Sequence, residues 1–256
     1  MINAMHQALA YRSRIILSML GNGIWIVVVY YLWRSVYTAQ SQVMGYSWDS
    51  MRTYLVLAYA LNVLISFGST TRLYNLVRTG EIAQELLRPV NYLGQQLVIT
   101  LGAALIEGLL SAILALGLGI ILVGILPPAS LAAALLFLPS IMLGFLIKFL
   151  ISFLFSLVCF WTINGIGLVW AQMALVNLFS GALVPLVFLP GWLGQLAAWA
   201  PFQGIIATPL AIYQGSVVGW DMLRALVVQL LWVLTLWALT GLIWRPAIRA
   251  LDIQGG

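Results

Sequence analysis

Residues 72–96 read RLYNLVRTGEIAQELLRPVNYLGQQ, the longest charge-bearing interruption in a chain that is otherwise almost continuously apolar. Arg72, Arg78 and Arg88 lie there with Glu81 and Glu85, between two long hydrophobic blocks. Thr79-Gly80 breaks a helix arriving from upstream. Glu81 then stands near the start of a new short helix, where the positive end of the helix dipole favours a carboxylate. Ile82, Ala83, Leu86 and Leu87 make an apolar face at i, i+1, i+4 and i+5, while Glu81, Gln84, Glu85 and Arg88 face away. Pro89 disfavours helix at Arg88. The spacing therefore predicts an amphipathic helix over 80–88, about 13 Å long at 1.5 Å per residue. Tethered at both ends to hydrophobic spans, it suits contact with something outside the bilayer.

Working outward, composition sets the class. The 256 residues are 63% hydrophobic and 7% charged, with a mean hydropathy of +1.08. A soluble domain carries about a quarter charged residues, so this is a polytopic membrane protein. The net charge of +5 comes from basic residues that are dispersed and flank apolar runs, as cytoplasmic anchoring charge does, rather than from a nucleic-acid patch. The single cysteine, Cys159, excludes an intrachain disulfide framework, and the single histidine, His6, excludes a multi-histidine metal site or a Ser-His-Asp triad. No G-x-x-x-x-G-K-[ST] occurs, and the one lysine, Lys148, sits inside an apolar run, so the chain has no nucleotide-binding loop of its own. The eleven tryptophans and ten tyrosines fit interfacial aromatic belts.

The pattern predicts an all-α integral membrane protein forming one domain over 1–256, with six spans at about 15–33, 53–71, 97–126, 131–160, 166–188 and 222–244. Residues 34–52 are polar and read as an outer loop. Pro127-Pro128 turns the chain outside, and Thr162-Ile163-Asn164-Gly165 divides the fourth span from the fifth. Between the fifth and sixth, residues 190–215 are apolar but broken by Pro190, Gly191, Pro201, Pro209 and Gly215, so no piece is long enough to cross. Such a stretch is a re-entrant pair of half-helices or an interfacial cap. With these spans Arg12, Arg14, Arg72, Arg78, Arg88, Arg245 and Arg249 fall inside, against Arg34, Arg52 and Arg224 outside. That bias places both termini in the cytoplasm.

Two charges fall within spans, Glu107 and Lys148. Intramembrane charges are costly and face a bundle interior. Their depths differ by only about 3 Å at 1.5 Å per residue, which suggests an ion pair between the third and fourth spans. Such a pair either fixes packing or meets substrate, and Lys148 alone has the reach to snorkel. Asn164 and Gln172 read as hydrogen-bonding links to neighbouring helices. The glycines of the third span permit close helix approach.

Two blocks carry a resemblance. TGEIAQELLRP at 79–89 is similar to the G-E-[LI]…L-L-[RK]-P cytoplasmic loop of the ABC-2 type permeases, specifically the small six-span bacterial branch encoded apart from its ATPase. FSGALVPLVFLPGWLGQLAAWAP at 179–201, followed by Phe202 and Gly215, resembles the S-G…P-L…F-P-x-W-L…P-F…P…G pattern of the same branch, and Phe160-Trp161 matches an aromatic pair found there. The span count extends the resemblance over the whole chain. It implies a membrane subunit of an ATP-binding-cassette exporter in the bacterial cytoplasmic membrane, not itself an enzyme. Two permease chains, identical or related, would surround a path. A separate ATPase would bind ATP and Mg, leaving this chain without a cofactor. It further implies that 80–88 is a coupling helix docking on that ATPase, and that Pro190, Gly191, Trp192 and Pro201 belong to short re-entrant helices.

Docking fits the residues of 80–88 better than a helix lying on headgroups, because Glu81 and Glu85 would be repelled by anionic lipid. The roles expected are apolar insertion for Ile82, Leu86 and Leu87, and charge-assisted contacts from Glu81, Glu85 and Arg88. Glu85 and Arg88 have the spacing to pair with each other instead. The few intramembrane charges suit an amphiphilic or hydrophobic substrate such as a drug, lipid or peptide. A passive channel or structural membrane protein would leave the amphipathic segment without a task. An integral membrane enzyme acting on lipid would want clustered His, Asp or Glu, which the sequence does not supply.

Overall fold

The structure, a computed structural model, describes residues 24, 27–64, 68–87, 91–162 and 165–252. Helix α1 covers 27–37, then strands β1 (Gln42–Val43) and β2 (Tyr46–Ser47) form a hairpin with Gln42 opposite Ser47 and Val43 opposite Tyr46. The polar loop expected at 34–52 is thus partly ordered. Met44 and Gly45 both take positive φ (50° and 84°), as a two-residue turn whose twist matches the strands requires. Helix α2 (Trp48–Leu64) follows directly, and α3 (Gly68–Thr79) carries the chain past Thr71 to Gly80, whose φ of 76° ends it. The segment expected at 53–71 is covered by α2 and the start of α3, with residues 65–67 outside the described ones.

After the short helix α4 (Ile82–Leu86), the helical run Tyr92–Ile121 comprises α5 (Tyr92–Ala103), a π-helical turn (Ala104–Gly108) and α6 (Leu109–Leu122). Helix α7 (Leu131–Leu157) is capped by Ser130, whose hydroxyl accepts from the Ala133 N–H at 3.1 Å, and it runs through Pro139 without ending. Then come α8 (Gly165–Phe179), α9 (Gly191–Trp199), α10 (Ala207–Tyr213) and the 33-residue α11 (Trp220–Asp252).

Three of these runs, Tyr92–Ile121, Leu131–Phe160 and Trp220–Ala250, are long and apolar enough to cross a membrane, and Ile166–Phe179 is a shorter apolar helix. Helix α7 is the centre of the bundle. Within its apolar window 61% of residues are buried, against 29% for Tyr92–Ile121 and 22% for α11. It packs against α3, α8, α10 and α11 and supplies Phe145, Ile147, Phe149, Leu150 and Phe153 to the main core. Glycines set two close approaches. A Cβ on Gly108, in the π-helical turn, would sit 2.1 Å from the Leu64 carbonyl oxygen that ends α2. One on Gly144 of α7 would sit 2.8 Å from the Gly204 carbonyl oxygen and 2.9 Å from that of Ile205. Neither position has room for alanine.

Candidate functional site

The charged stretch folds back onto its own helices. Gly80 donates its N–H to the Val77 carbonyl (3.3 Å), and Thr79 Oγ1 donates to Asn75 O (3.0 Å), closing α3. The next helix, α4, has only five residues, Ile82–Leu86, rather than the nine expected. Its apolar face is turned inward. Ile82 is 1% exposed and belongs to the same core as Leu73 and Leu157, and Leu86 packs partly buried against that core. Leu87, about 100° further round a helix, is 84% exposed. Of the three side chains expected to insert into a partner, Ile82 is therefore occupied within the chain, and Leu87 is the one left open. The physical reason is burial: the i, i+4 pair of this helix packs on the bundle's own core, to which Leu73, Tyr92 and Leu157 also belong.

Glu85 also turns inward. Its carboxylate accepts from Gln95 Nε2 at 3.0 Å and lies 3.9 Å from the Arg72 guanidinium. It ties α4 to α5 and α3, whereas Glu81, Ala83 and Gln84 are exposed beside Leu87. Arg88 and Pro89 lie outside the described residues, and with them the Glu85–Arg88 pairing. Asn91 opens α5, its side-chain oxygen accepting from the Gly94 N–H at 3.1 Å.

Inside the bundle, Lys148 is 1% exposed. Its ammonium donates to the Asn62 carbonyl (3.2 Å) and to Asn62 Oδ1 (3.0 Å), and Asn62 Nδ2 donates to Asn177 Oδ1 (3.3 Å). Lys148 thus ties α7 to α2, and Asn62 carries the link on to α8. A second link joins α8 to α7, Gln172 Nε2 donating to Ser152 Oγ at 2.6 Å. The expected partner of Lys148, the Glu107 side chain, lies outside the described residues, as does Asn164. Asn62 and Asn177 were missed by sequence reasoning. Their signal was a side-chain amide within an apolar run, alone in the case of Asn62 and beside Gln172 in the case of Asn177.

The broken stretch after α8 folds as the short pieces its prolines dictate. Pro190 precedes α9, Trp192 is 72% exposed, and Pro201 starts a single 3₁₀ turn (Pro201–Gly204) leading into α10. Buried Ile205, Ile206, Leu210 and Ile212 anchor this region in the core. Gln229 of α11 clamps it, donating through Nε2 to Gly204 O (2.7 Å) and Ser140 O (3.1 Å), while Ser140 Oγ donates to Gln229 Oε1 (2.9 Å). Tyr54 of α2 donates to Gly181 O at 2.7 Å, and Tyr213 to Leu126 O at 2.9 Å. Beside these anchors a cleft of ≈ 370 Å³ has Tyr46, Tyr54, Gln203 and Thr208 among its walls. Burial pushes the Tyr46 hydroxyl above the usual phenol range, so it stays protonated there. Among the described residues no three His, Cys, Asp or Glu side chains come together.

A family model described as ABC-2 family transporter protein matches residues 23–255. No curated protein and no solved structure gives a match.

Proposed function

The chain belongs to the ABC-2 family of transporter proteins, a multi-pass permease component of ABC transporters, and from that premise we propose its particular working arrangement. It crosses the bacterial cytoplasmic membrane six times with both termini inside, the shorter helices α1, α2–α3 and α8 completing the three long ones. Two such permease chains enclose a path for an amphiphilic or hydrophobic substrate moving outward. A separate ATPase, holding ATP and Mg, drives the alternation, and residues 190–215 form the re-entrant region on the outer side.

The observation that carries this reading is the placement of α4. A five-residue helix stands between two long membrane segments, tied by Glu85 to α5 and by Ile82 to the core, with Leu87 fully presented. A partner that binds two conformations unequally can shift them only through contacts that move with the bundle. Helix α4 has that property, because a push on it is passed directly to α3 and α5. Docking then uses Leu87 as the apolar contact, Glu81 and Gln84 as polar ones, and Arg88 as a cation.

The test is a pull-down of the tagged chain from its native membrane in mild detergent, beside a Leu87→Asp/Ala83→Asp variant. We expect a P-loop ATPase with the native chain and its loss from the variant at unchanged permease yield. Recovery of the native chain without any such ATPase, under conditions that keep other transporters intact, would sink the proposal.

A further inference from the structure

A second cleft, of ≈ 520 Å³, lies between α5, α7 and α11 and reaches the end of α4 at Leu86. Its α11 wall runs from Trp237 through Gly241 and Trp244 to Ile248. Eleven residue-to-residue steps at 1.5 Å each give it a length of about 16 Å. One leaflet of a hydrocarbon core about 30 Å thick is about 15 Å deep, so the cleft is as long as one leaflet.

The opposite wall is aromatic. Tyr92 stacks on Trp244 with centroids 5.3 Å apart and planes at 12°, and Phe153 packs beside that pair at 5.9 Å from Trp244. Gly241 deepens the slot, since a Cβ there would meet nothing within 4 Å. The Thr240 hydroxyl is turned back to the Leu236 carbonyl (2.8 Å), which leaves Asn91 and the Tyr92 hydroxyl as the polar groups of a lining that is otherwise apolar. The flank differs in kind. Arg245 and Arg249 each follow a lining residue directly in sequence, stand about one helical turn apart, and are both exposed beside the α11 wall. A largely apolar slot of one leaflet's depth flanked by two cations matches a single hydrocarbon chain ending in an anionic group.

We propose that this cleft holds one acyl chain of an anionic phospholipid, with Arg245 and Arg249 on its phosphate. Assigning that lipid to the inner leaflet rests on the cytoplasmic placement of α4 proposed above, whereas the slot and its basic flank do not. Because Leu86 forms part of the same wall, the lipid chain packs beneath α4 and helps hold the docking segment in position. An apolar anchor from a protein partner fits less well, since the Trp237 end lies about 10 Å further along the helix than Trp244.

The experiment is native mass spectrometry of the purified chain in detergent, titrated with dioleoyl phosphatidylglycerol or dioleoyl phosphatidylcholine and needing no ATPase. The native chain should retain one phosphatidylglycerol in preference to phosphatidylcholine by about thirtyfold, each arginine contributing about fivefold. Arg245→Gln/Arg249→Gln, both on the exposed surface, should abolish the preference but not residual binding. Gly241→Leu should remove the tight site for both lipids. Equal retention of the two lipids by the native chain overturns the headgroup assignment, and undiminished binding by Gly241→Leu overturns the slot. If Gly241→Leu lost its ATPase in the pull-down while keeping the lipid, the cleft would belong to the partner protein and the proposal would fail. A missing ATPase with intact lipid selectivity would instead count against the transport arrangement alone.

Discussion

Lys148 shows what one residue does in this bundle. A charge at this depth is tolerated only with donors and acceptors matched, and its ammonium meets two oxygens of Asn62 on α2. Removing the donor breaks that link between α7 and α2. Hydrogen bonds to charged groups contribute about 1.5–3 kcal/mol each, so the two together contribute about 3 kcal/mol or more. At about 2–4 °C per kcal/mol for a chain of this size, Lys148→Met should lower the thermal midpoint by about 6–12 °C, while Lys148→Arg loses less because it retains donors. Cys159 gives the readout: it is buried and the only cysteine, so a thiol-reactive fluorophore reports unfolding directly. No change in Lys148→Met would contradict the linking role. The lysine's burial was legible in the sequence, because a lone cation in an apolar run has nowhere else to go. Its partner Asn62 was not, since pairing across helices depends on which helices are neighbours, and periodicity carries no such information.

At the scale of elements, the glycines decide which helices touch. A Cβ at Gly144 would press on the Gly204 and Ile205 carbonyls, backbone atoms that cannot rotate away. Gly144→Ala should cost about 1–3 kcal/mol and loosen the 3₁₀ turn from α7. Gly102→Ala, on α5 with nothing within 4 Å of its Cβ, should leave stability unchanged or raise it by up to about 1 kcal/mol through helix propensity. The same thiol assay separates them, and equal shifts would contradict the packing. Helix α4 shows how far the pattern carries. The break at Thr79-Gly80 and the halt before Pro89 are local chemistry and were legible. The direction of the apolar face was not: Ile82 and Leu86 satisfy their own bundle first, and only the packed structure reveals that Leu87 is the residue left over. The hairpin at 42–47 escaped for the opposite reason, since Met44-Gly45 is a weaker turn signal than Asn-Gly.

For the whole molecule, composition alone settles that the chain belongs in a membrane, and the family match spans 23–255. Among the described residues three helical runs have the length to cross, and they were readable as long apolar stretches that carry few charges. Helix α8 is shorter, because Thr162 and the glycines and prolines that follow Phe179 divide the apolar sequence there. In the proposed arrangement Leu87 faces the cytoplasm and is covered by an ATPase. A direct measurement introduces Leu87→Cys into a Cys159→Ala chain and applies a membrane-impermeant maleimide to intact cells and to inverted vesicles, with and without the ATPase stripped off. Labelling is expected only in inverted vesicles, and only after stripping. Labelling from the outside of intact cells would contradict that arrangement.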